Sequence, residues 1–361
     1  MEHNNIYELY DHLLNTLCAE TEILRRIPFG KSYLGREIPA LQLGEGGGHR
    51  ILYVGGVTGS LCSAACLLRF VCDFASSMKS GRRIAGIDIS YLFHTRTITV
   101  VPLLNPDGAV LRVHGTDDKN PLLDRLLSCI RNPLSGRGGD SADAYPADFN
   151  PFSGWVTNGR GVDLRCNCDA DFTRCMETAS GIGQAGFPGM HPESEPECAA
   201  VCRYLRGAAE TDLVLFLDDE DCDSAFGCVS CPSGDHRTRS IAEILARDMD
   251  AARCIAGISE EPGSFAAWYK TRNAGPIVTL SCPGTCPSPD FRGGGFHSGG
   301  TQDTCAPCED PDTASALLYA AAGQEPVPPS ADDHPGTTLA QAALALRYGH
   351  LRRALFHGTV L

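Results

Sequence analysis

The stretch TITVVPLL at residues 97–104, followed by NPDG at 105–108, decides the fold class of this chain. Its apolar, partly β-branched run has the length of a strand and indicates that both faces of that strand are buried. In the tetrapeptide, Pro106 presets its backbone angle, Asp107 caps and Gly108 follows, so we predict a tight turn. A strand with two buried faces requires covering layers on both sides of its sheet.

Outward from this strand, further strands and helices alternate along the chain. Apolar runs predict strands at 51–56, 212–217 and 277–280, with shorter strand patterns within 27–43. Helical spacing predicts helices at 7–26, 60–78, 241–254, 313–322 and 338–356, and the capping box SEPE at 194–197 predicts another up to residue 206. We therefore predict an α/β domain over 1–323, a Pro/Asp-rich linker over 324–337 and a helical extension over 338–361.

The composition restricts the classes of partner. The 361 residues include 44 acidic and 30 basic side chains, a net charge of −14, which disfavours binding to nucleic acid or to an anionic membrane surface. No apolar run is long enough to cross a membrane, and the first residues lack the basic and apolar segments of a secretory signal. We expect a cytoplasmic protein, in which the 18 cysteines stay free or bind a soft metal.

Five segments, in order, resemble the zinc carboxypeptidase family, the carboxypeptidase A-like metallopeptidases. They are most similar to its bacterial branch, which cuts γ-D-glutamyl-diaminopimelate bonds in cell-wall peptides. The segments are FGKS at 29–32 with GREI at 35–38, ILYVG at 51–55, VPLLNPDG at 101–108, NGRGVDL at 158–164 and HPESEPE at 191–197. The resemblance covers about residues 20 to 323, and it implies a three-layer fold with a mixed, mostly parallel sheet between helices.

The resemblance implies a zinc ion held by two imidazoles and one carboxylate, with one open position for a water molecule. The first two ligands come as H-x-x-E after the strand that ends at Gly55, and here Thr58 and Leu61 stand in their places. The third ligand is a histidine that closes a later strand, and here that position is Asp218. A leucine cannot coordinate a metal, so we predict that the zinc site is lost and that no cofactor is bound.

The family's other chemical positions have changed as well. Ser281 stands at the general base, where a glutamate is needed, and serine has no useful basicity near neutral pH. Val156 stands at the oxyanion arginine, a position that varies in the bacterial branch. The pair that binds the substrate carboxylate is normally Asn-Arg, and here it matches Arg165-Cys166, one residue out of register. Asn158 and Arg160 are further candidates for substrate binding.

Several cysteines fall beside these positions and suggest a replacement thiol site for a soft metal or a redox pair. They are Cys62, Cys166, Cys168, Cys222 and Cys282, and two further CxxC pairs occur at 228–231 and 305–308. The alternative is that these cysteines are small buried apolar residues in a pocket without chemistry. The acidic run DDEDCD at 218–223 is interpreted as a solvated loop over the pocket rather than a hard-cation loop.

Three functions remain open from the sequence. The first is a pseudo-peptidase, a carboxypeptidase fold without its chemistry, that binds peptides or pairs with an active relative. The second is a divergent, active metallopeptidase that cleaves cell-wall-type peptides. The third is a cysteine-based metal or redox protein on the same scaffold.

Overall fold

A computed structural model of the chain describes residues 5–115, 150, 152–207, 211–218, 227–249, 253–256, 261–272, 275–281, 311–324 and 335–361. Its strands are β1 Leu24–Lys31, β2 Glu37–Leu43, β3 His49–Val54, β4 Arg83–Ile84, β5 Ile87–Asp88, β6 Arg96–Val101, β7 Leu213–Asp218, β8 Cys228–Cys231, β9 Arg253–Ala256 and β10 Ile277–Ser281. Its helices are α1 Ile6–Glu20, α2 Leu61–Ser80, α3 Ile89–Thr95, α4 Pro106–His114, α5 Phe172–Glu177, α6 Pro196–Gly207, α7 His236–Asp248, α8 Phe265–Arg272, α9 Pro311–Ala322 and α10 Pro335–Gly358.

Within the described residues, eight strands form one mixed sheet in the order β1-β2-β6-β3-β7-β10-β8-β9. The central strands β6, β3, β7 and β10 run parallel to one another, whereas β1 and β2 are antiparallel additions at one edge. β8 is antiparallel to β10 and parallel to β9 at the other edge. The predicted fold class, a mixed and mostly parallel sheet between helices, is confirmed.

Two hydrophobic cores lie on opposite faces of the sheet, because successive side chains of a strand point to opposite faces. On β3, Ile51 and Tyr53 join the first core, and Leu52 and Val54 join the second. The first core contains residues of α1, α2, α3, α4, α7, α9 and α10. The second contains residues of α6, α8 and the segment 164–170. Because both faces of the sheet are covered, the strands are continuous apolar runs in the sequence.

The NPDG segment does not form the predicted turn; it begins helix α4. The Asn105 side chain accepts a hydrogen bond from the backbone N–H of Gly108 at 2.8 Å, and Pro106 occupies the first turn. Asn at the N-cap and Pro at the start of a helix use the same residue preferences as a turn does. The residues 105–108 alone therefore could not distinguish a tight turn from the start of a helix. The helix is favoured because the apolar face of 109–113 packs into the first core.

Two helix boundaries also differ from the prediction. The N-terminal helix ends at Glu20, and residues 24–26 belong to strand β1, which pairs with β2. The helix predicted at 241–254 begins at His236 and ends at Asp248, and Cys254 lies in strand β9 beside β8. In both cases pairing with a neighbouring strand overrides the helical spacing of apolar residues.

The helix at the C-terminal end of the chain packs on the first core. Phe356 is fully buried, with its ring centroid 4.7 Å from that of Phe70. The Tyr53 hydroxyl on β3 donates a hydrogen bond to the Leu355 carbonyl at 2.7 Å. Contacts to a central strand and to α2 thus fix the last two turns of α10.

One described helix, Leu61–Ser80, has the length and apolar composition that a membrane-spanning helix needs. It is α2, and 72% of its most apolar window is buried inside the protein. Its buried side chains pack on the first core, so its composition is that of a core helix.

Candidate functional site

The carboxyl ends of three adjacent parallel strands bring the family's catalytic positions to one edge of the sheet. β7 lies between β3 and β10, and Asp218 and Ser281, the last residues of β7 and β10, are register partners. Thr58 follows the end of β3 by four residues. Loops at the carboxyl ends of parallel strands are where open α/β sheets build their sites. The structure thus places Thr58, Asp218 and Ser281 at one edge of the sheet.

The side chains at this edge are poor metal ligands. Leu61 begins helix α2, is only 2% exposed and belongs to the first core. Thr58 and Ser281 are buried and offer neutral hydroxyls. Asp218 is half-buried and supplies the one carboxylate among these four positions. The residues after Asp218 and Ser281, including Cys222, Cys282 and the acidic run 219–223, lie outside the described residues.

Arg165 is held by an internal partner. Its Nε and one terminal nitrogen donate to the two carboxylate oxygens of Asp163 at 2.9 and 2.8 Å, a bidentate ion pair. Burial alone would lower the pKa of Arg165, but the charge and hydrogen bonds of Asp163, together with the charge of Asp218, raise it. Arg165 is therefore a cation, and a carboxylate occupies the Nε–Nη2 edge of its guanidinium.

Cys166 lies next to this ion pair and is half-buried. Its Sγ donates to the Asp163 carbonyl at 3.4 Å. Burial and the negative charge of Asp163 raise its pKa, so the thiol is protonated at neutral pH. A protonated, half-buried thiol is a weak nucleophile and a weak ligand.

Asn158 organises a buried polar loop. Its side-chain oxygen accepts from the backbone N–H groups of Arg160 and Val162 at 3.0 and 3.1 Å. Its amide donates to Glu195 at 2.8 Å and more weakly to Glu197 at 3.4 Å. Asn158 is fully buried, and these internal hydrogen bonds engage both polar atoms of its side chain.

Sequence reasoning does not identify Asp107, Glu195 or Glu197 as site residues, although all three lie in the motifs that carry the family resemblance. All three are fully buried. Asp107 accepts from the Ser32 hydroxyl, the Leu34 backbone and Arg36, the last at 2.6 Å. These bonds join the start of helix α4 to the 32–36 loop. Glu197 accepts from the Tyr33 backbone N–H and Glu195 from the Asn158 amide, so the SEPE segment bonds to other loops instead of forming the predicted capping box.

Arg160 is the substrate-binding candidate that remains accessible. Its guanidinium lies 3.3 Å from Glu195, and its side chain is 38% exposed. The guanidinium carbon stands 5.4 Å above the centre of the Tyr33 ring, a cation–π contact. Val156 is half-buried beside Trp155 and has no polar group to replace the family's arginine.

Of the five cysteines suggested by the sequence as a replacement site, the structure describes Cys62, Cys166 and Cys168, and it does not bring Cys62 and Cys168 together. Cys62 belongs to the first core and Cys168 to the second, so the sheet separates them. Cys228 and Cys231 stand three residues apart on β8, which directs their side chains to opposite faces. Cys168 instead meets Cys198 and Cys202 of helix α6, and the three sulfur atoms lie within 4.8 Å of one another. The spacing of four residues between the latter two was the available sequence signal.

Comparison with known proteins decides the family, since the model of the zinc carboxypeptidase family matches residues 10–235. The chain belongs to the zinc carboxypeptidase family. A curated relative, gamma-D-glutamyl-L-diamino acid endopeptidase 1 of Lysinibacillus sphaericus, is 24% identical over 57% of this chain and 48% of its own length. The chain spans about half the length of the curated relatives it matches.

Solved structures of the zinc carboxypeptidase fold are also similar. Bovine thrombin-activatable fibrinolysis inhibitor aligns over 99% of this chain and 98% of its own, with a TM-score of 0.52 and 15% identity. Carboxypeptidase A of Helicoverpa armigera aligns over 95% of this chain and 71% of its own, with a TM-score of 0.50 and 15% identity. At such identities the likeness shows the fold alone.

Among the described residues of this zinc carboxypeptidase homologue, the side chains at the predicted ligand positions do not fit the family's zinc ion. A catalytic zinc requires three protein ligands drawn from nitrogen, sulfur and carboxylate oxygen. Leu61 has no lone pair to donate, and the Thr58 hydroxyl is neutral. Within the part of the chain that the structure describes, three or more converging His, Cys, Asp or Glu donors occur only at the Cys168 cluster. That cluster contains none of the three family ligand positions.

Proposed function

We propose that this zinc carboxypeptidase homologue has lost zinc binding and peptidase activity and acts as a peptide-binding or regulatory module. The observation that carries the proposal is the burial of Leu61 at a family ligand position. A hydrocarbon packed into the core removes one ligand and also fills the space that a ligand would need. The neutral Ser281 at the position of the general base removes a second requirement for hydrolysis.

The ion pair between Asp163 and Arg165 supports the same proposal. A carboxypeptidase substrate presents a carboxylate, and its recognition requires a guanidinium with free donors. Here Asp163 already accepts from two nitrogens of the guanidinium. A substrate carboxylate would meet a guanidinium whose charge Asp163 already offsets, which weakens recognition at this residue.

A groove beside the edge strand β1 supports the peptide-binding part of the proposal. Its volume is about 710 Å³, and residues of β1, β2 and α6 line it. Exposed Lys31 and Arg203 lie along it, together with Arg26, which is paired with Asp11, and one acidic lining residue, Glu37. This local positive charge contrasts with the net charge of −14 and favours an acidic, extended peptide.

Fluorescence anisotropy with a labelled acidic peptide tests the groove. We expect Lys31→Glu combined with Arg203→Glu to weaken binding about tenfold or more, since rim charges set electrostatic complementarity. Lys79→Glu is the matched control, because Lys79 lies on α2 away from the groove and donates to the Glu20 carbonyl. Equal affinities of the two variants would contradict a role for the groove.

The second candidate is a divergent, active metallopeptidase, and the curated endopeptidase relative favours it. Hydrolysis assays on a peptide with a free C-terminus and on a γ-D-glutamyl-diaminopimelate peptide distinguish the two functions. The proposal expects no hydrolysis of either substrate above the level of an Asp218→Ala variant. Hydrolysis that a chelator abolishes and that Asp218→Ala removes would establish the second candidate.

A further inference from the structure

A buried thiol cluster lies in the second core, on the face of the sheet opposite Leu61. Cys198 and Cys202 stand one turn apart on helix α6 and therefore share a face. Cys168 comes from the segment between residues 164 and 172, and its Sγ lies 3.4 Å from that of Cys198. All three residues are fully buried. Neither the family's zinc site nor the proposed peptide groove includes any of them.

The backbone fixes Cys168 against the helix. Its N–H donates to the Gly263 carbonyl at 2.8 Å, and the Gly263 N–H donates to the Ala170 carbonyl at 2.6 Å. Gly263 has φ +75°, and a Cβ there would meet the Cys166 carbonyl oxygen at 2.2 Å. Glycine is thus required for this close approach, which holds the third sulfur in place before any ligand binds.

The spacing of the sulfur atoms suits a single ion. Metal–thiolate bonds are about 2.3 Å long, so three sulfurs in a plane around one ion lie about 4 Å apart. The three sulfur atoms here lie within 4.8 Å of one another, and the shortest separation is 3.4 Å. Small rotations of the side chains would complete the coordination without moving helix α6.

The hydrogen bonds and charges around the cluster act on its thiols. Hydrogen bonds from the Cys168 and Cys198 thiols lower the pKa of Cys202. Burial raises the pKa of both Cys168 and Cys198. Arg206, one turn further along α6 and paired with Glu193, adds positive charge that lowers the pKa of Cys202. The convergence of three buried sulfur donors, which does not depend on their protonation, is what suits a soft cation.

We propose that Cys168, Cys198 and Cys202 bind one monovalent, thiophilic metal ion, Cu(I), through three sulfur atoms. Thiolates select soft ions such as Cu(I) and zinc, but structural zinc is almost always four-coordinate. Among the described residues, no fourth His, Cys, Asp or Glu joins this group. Three-coordinate thiolate binding is ordinary chemistry for Cu(I). Binding through three thiolates adds the +1 charge of the ion and releases two thiol protons to solvent, so the net charge of the site changes by −1 and no oxidation state changes.

The test is titration of the reduced, metal-free full chain with Cu(I) under anaerobic conditions, against a chromophoric Cu(I) chelator as competitor. X-ray absorption of the loaded wild-type protein then counts the sulfur ligands. We expect one tight equivalent with three sulfur neighbours, and we expect Cys198→Ser and Cys202→Ser to lose it. Cys66→Ser is the matched control, because Cys66 is equally buried but lies in the first core.

Two outcomes of the Cu(I) titration and the X-ray absorption measurement would overturn the proposal. One is a tight equivalent that all three variants retain, since it would belong to other cysteines. The other is an X-ray absorption spectrum of the loaded wild-type protein that shows only two sulfur ligands. This result does not depend on whether the variants fold. The result is independent of the peptidase question, because no residue of the cluster is a family ligand position. Zinc bound more tightly than Cu(I) would also contradict it.

Discussion

The side-chain amide of Asn158 donates a hydrogen bond to Glu195 Oε2 at 2.8 Å, and both side chains are fully buried. The same amide reaches Glu197 at 3.4 Å, and the Asn158 oxygen accepts two backbone N–H groups. A residue that the sequence suggested for substrate binding is therefore the centre of a structural network that joins the 158–162 loop to helix α6.

Asn158→Asp tests this structural role. The substitution places a carboxylate against Glu195 and Glu197, and an uncompensated buried charge costs about 3 to 5 kcal/mol. Urea unfolding at pH 8 should show that loss, and lowering the pH should reduce it as carboxyl groups take up protons. Asn15→Asp, at an exposed site on α1, should change the free energy of unfolding by less than about 0.5 kcal/mol. If both substitutions lower the free energy of unfolding equally, Asn158 does not have this structural role.

Glu197 should make stability depend on pH. Burial raises its pKa to about 8, against a hydrogen bond from the Tyr33 backbone, and the nearby charges of Asp107 and Glu195 raise it further. The folded protein thus keeps a proton that the unfolded chain loses near its ordinary pKa of 4.5. The stabilisation is full below pH 4.5 and falls as the pH rises towards 8, by about 1.4 kcal/mol for each pH unit between those two pKa values.

Glu197→Gln should flatten this dependence, so the variant should gain stability relative to the wild type between pH 5 and pH 9. Urea midpoints across that range provide the measurement. Glu177→Gln, which changes an exposed carboxylate on α5, should follow the wild-type curve. If both variants follow that curve, Glu197 does not retain its proton in the folded protein.

Phe356→Ala tests whether helix α10 contributes to the stability of the domain. The ring is fully buried near Phe70 and Phe74, and truncation of a buried phenylalanine costs about 3 to 5 kcal/mol. The free energy of unfolding should fall by that amount in one cooperative transition. Leu361→Ala, 38% exposed, should have little effect. A separate, earlier transition would show instead that the helix unfolds independently.

Restoring the family's ligands tests the match of sequence positions. Thr58→His, Leu61→Glu and Asp218→His together would place two imidazoles and a carboxylate at one edge of the sheet. The triple variant should be less stable than the wild type without zinc, because Leu61 is buried, and zinc should raise its Tm. The same variant with Leu61→Gln should respond much less. If zinc raises the Tm of the Leu61→Glu and Leu61→Gln versions equally, residue 61 does not face the site.

Most of the layered fold could be predicted because its central strands are continuous apolar runs. β3, β6, β7 and β10 are found where the sequence predicts them, within a few residues. The short edge strands β8 and β9 are not predicted, since the spacing of Cys228–Cys231 suggests a CxxC pair and Cys254 falls within a helical pattern. Edge pairing depends on a neighbouring strand and leaves little trace in local sequence.

The candidate site was predictable in part. Positions 58, 61, 218 and 281 were assigned by motif order along the chain, and their match to the family's ligands and base stays a prediction. The internal partner of Arg165 and the thiol cluster could not be found that way. Cys168 and Cys198 are 30 residues apart, and only the packing of α6 against the 164–170 segment brings them together.

Zinc stoichiometry tests the loss of the family's metal site most directly. The Cys198→Ser variant, in which the thiol cluster is disabled, and the same variant carrying Asp218→Ala should be equilibrated with one equivalent of zinc, desalted and assayed by elemental analysis. We predict that neither protein retains stoichiometric zinc and that Asp218→Ala changes nothing. One zinc ion per chain that Asp218→Ala removes would contradict the account and show that the ancestral site still binds its metal.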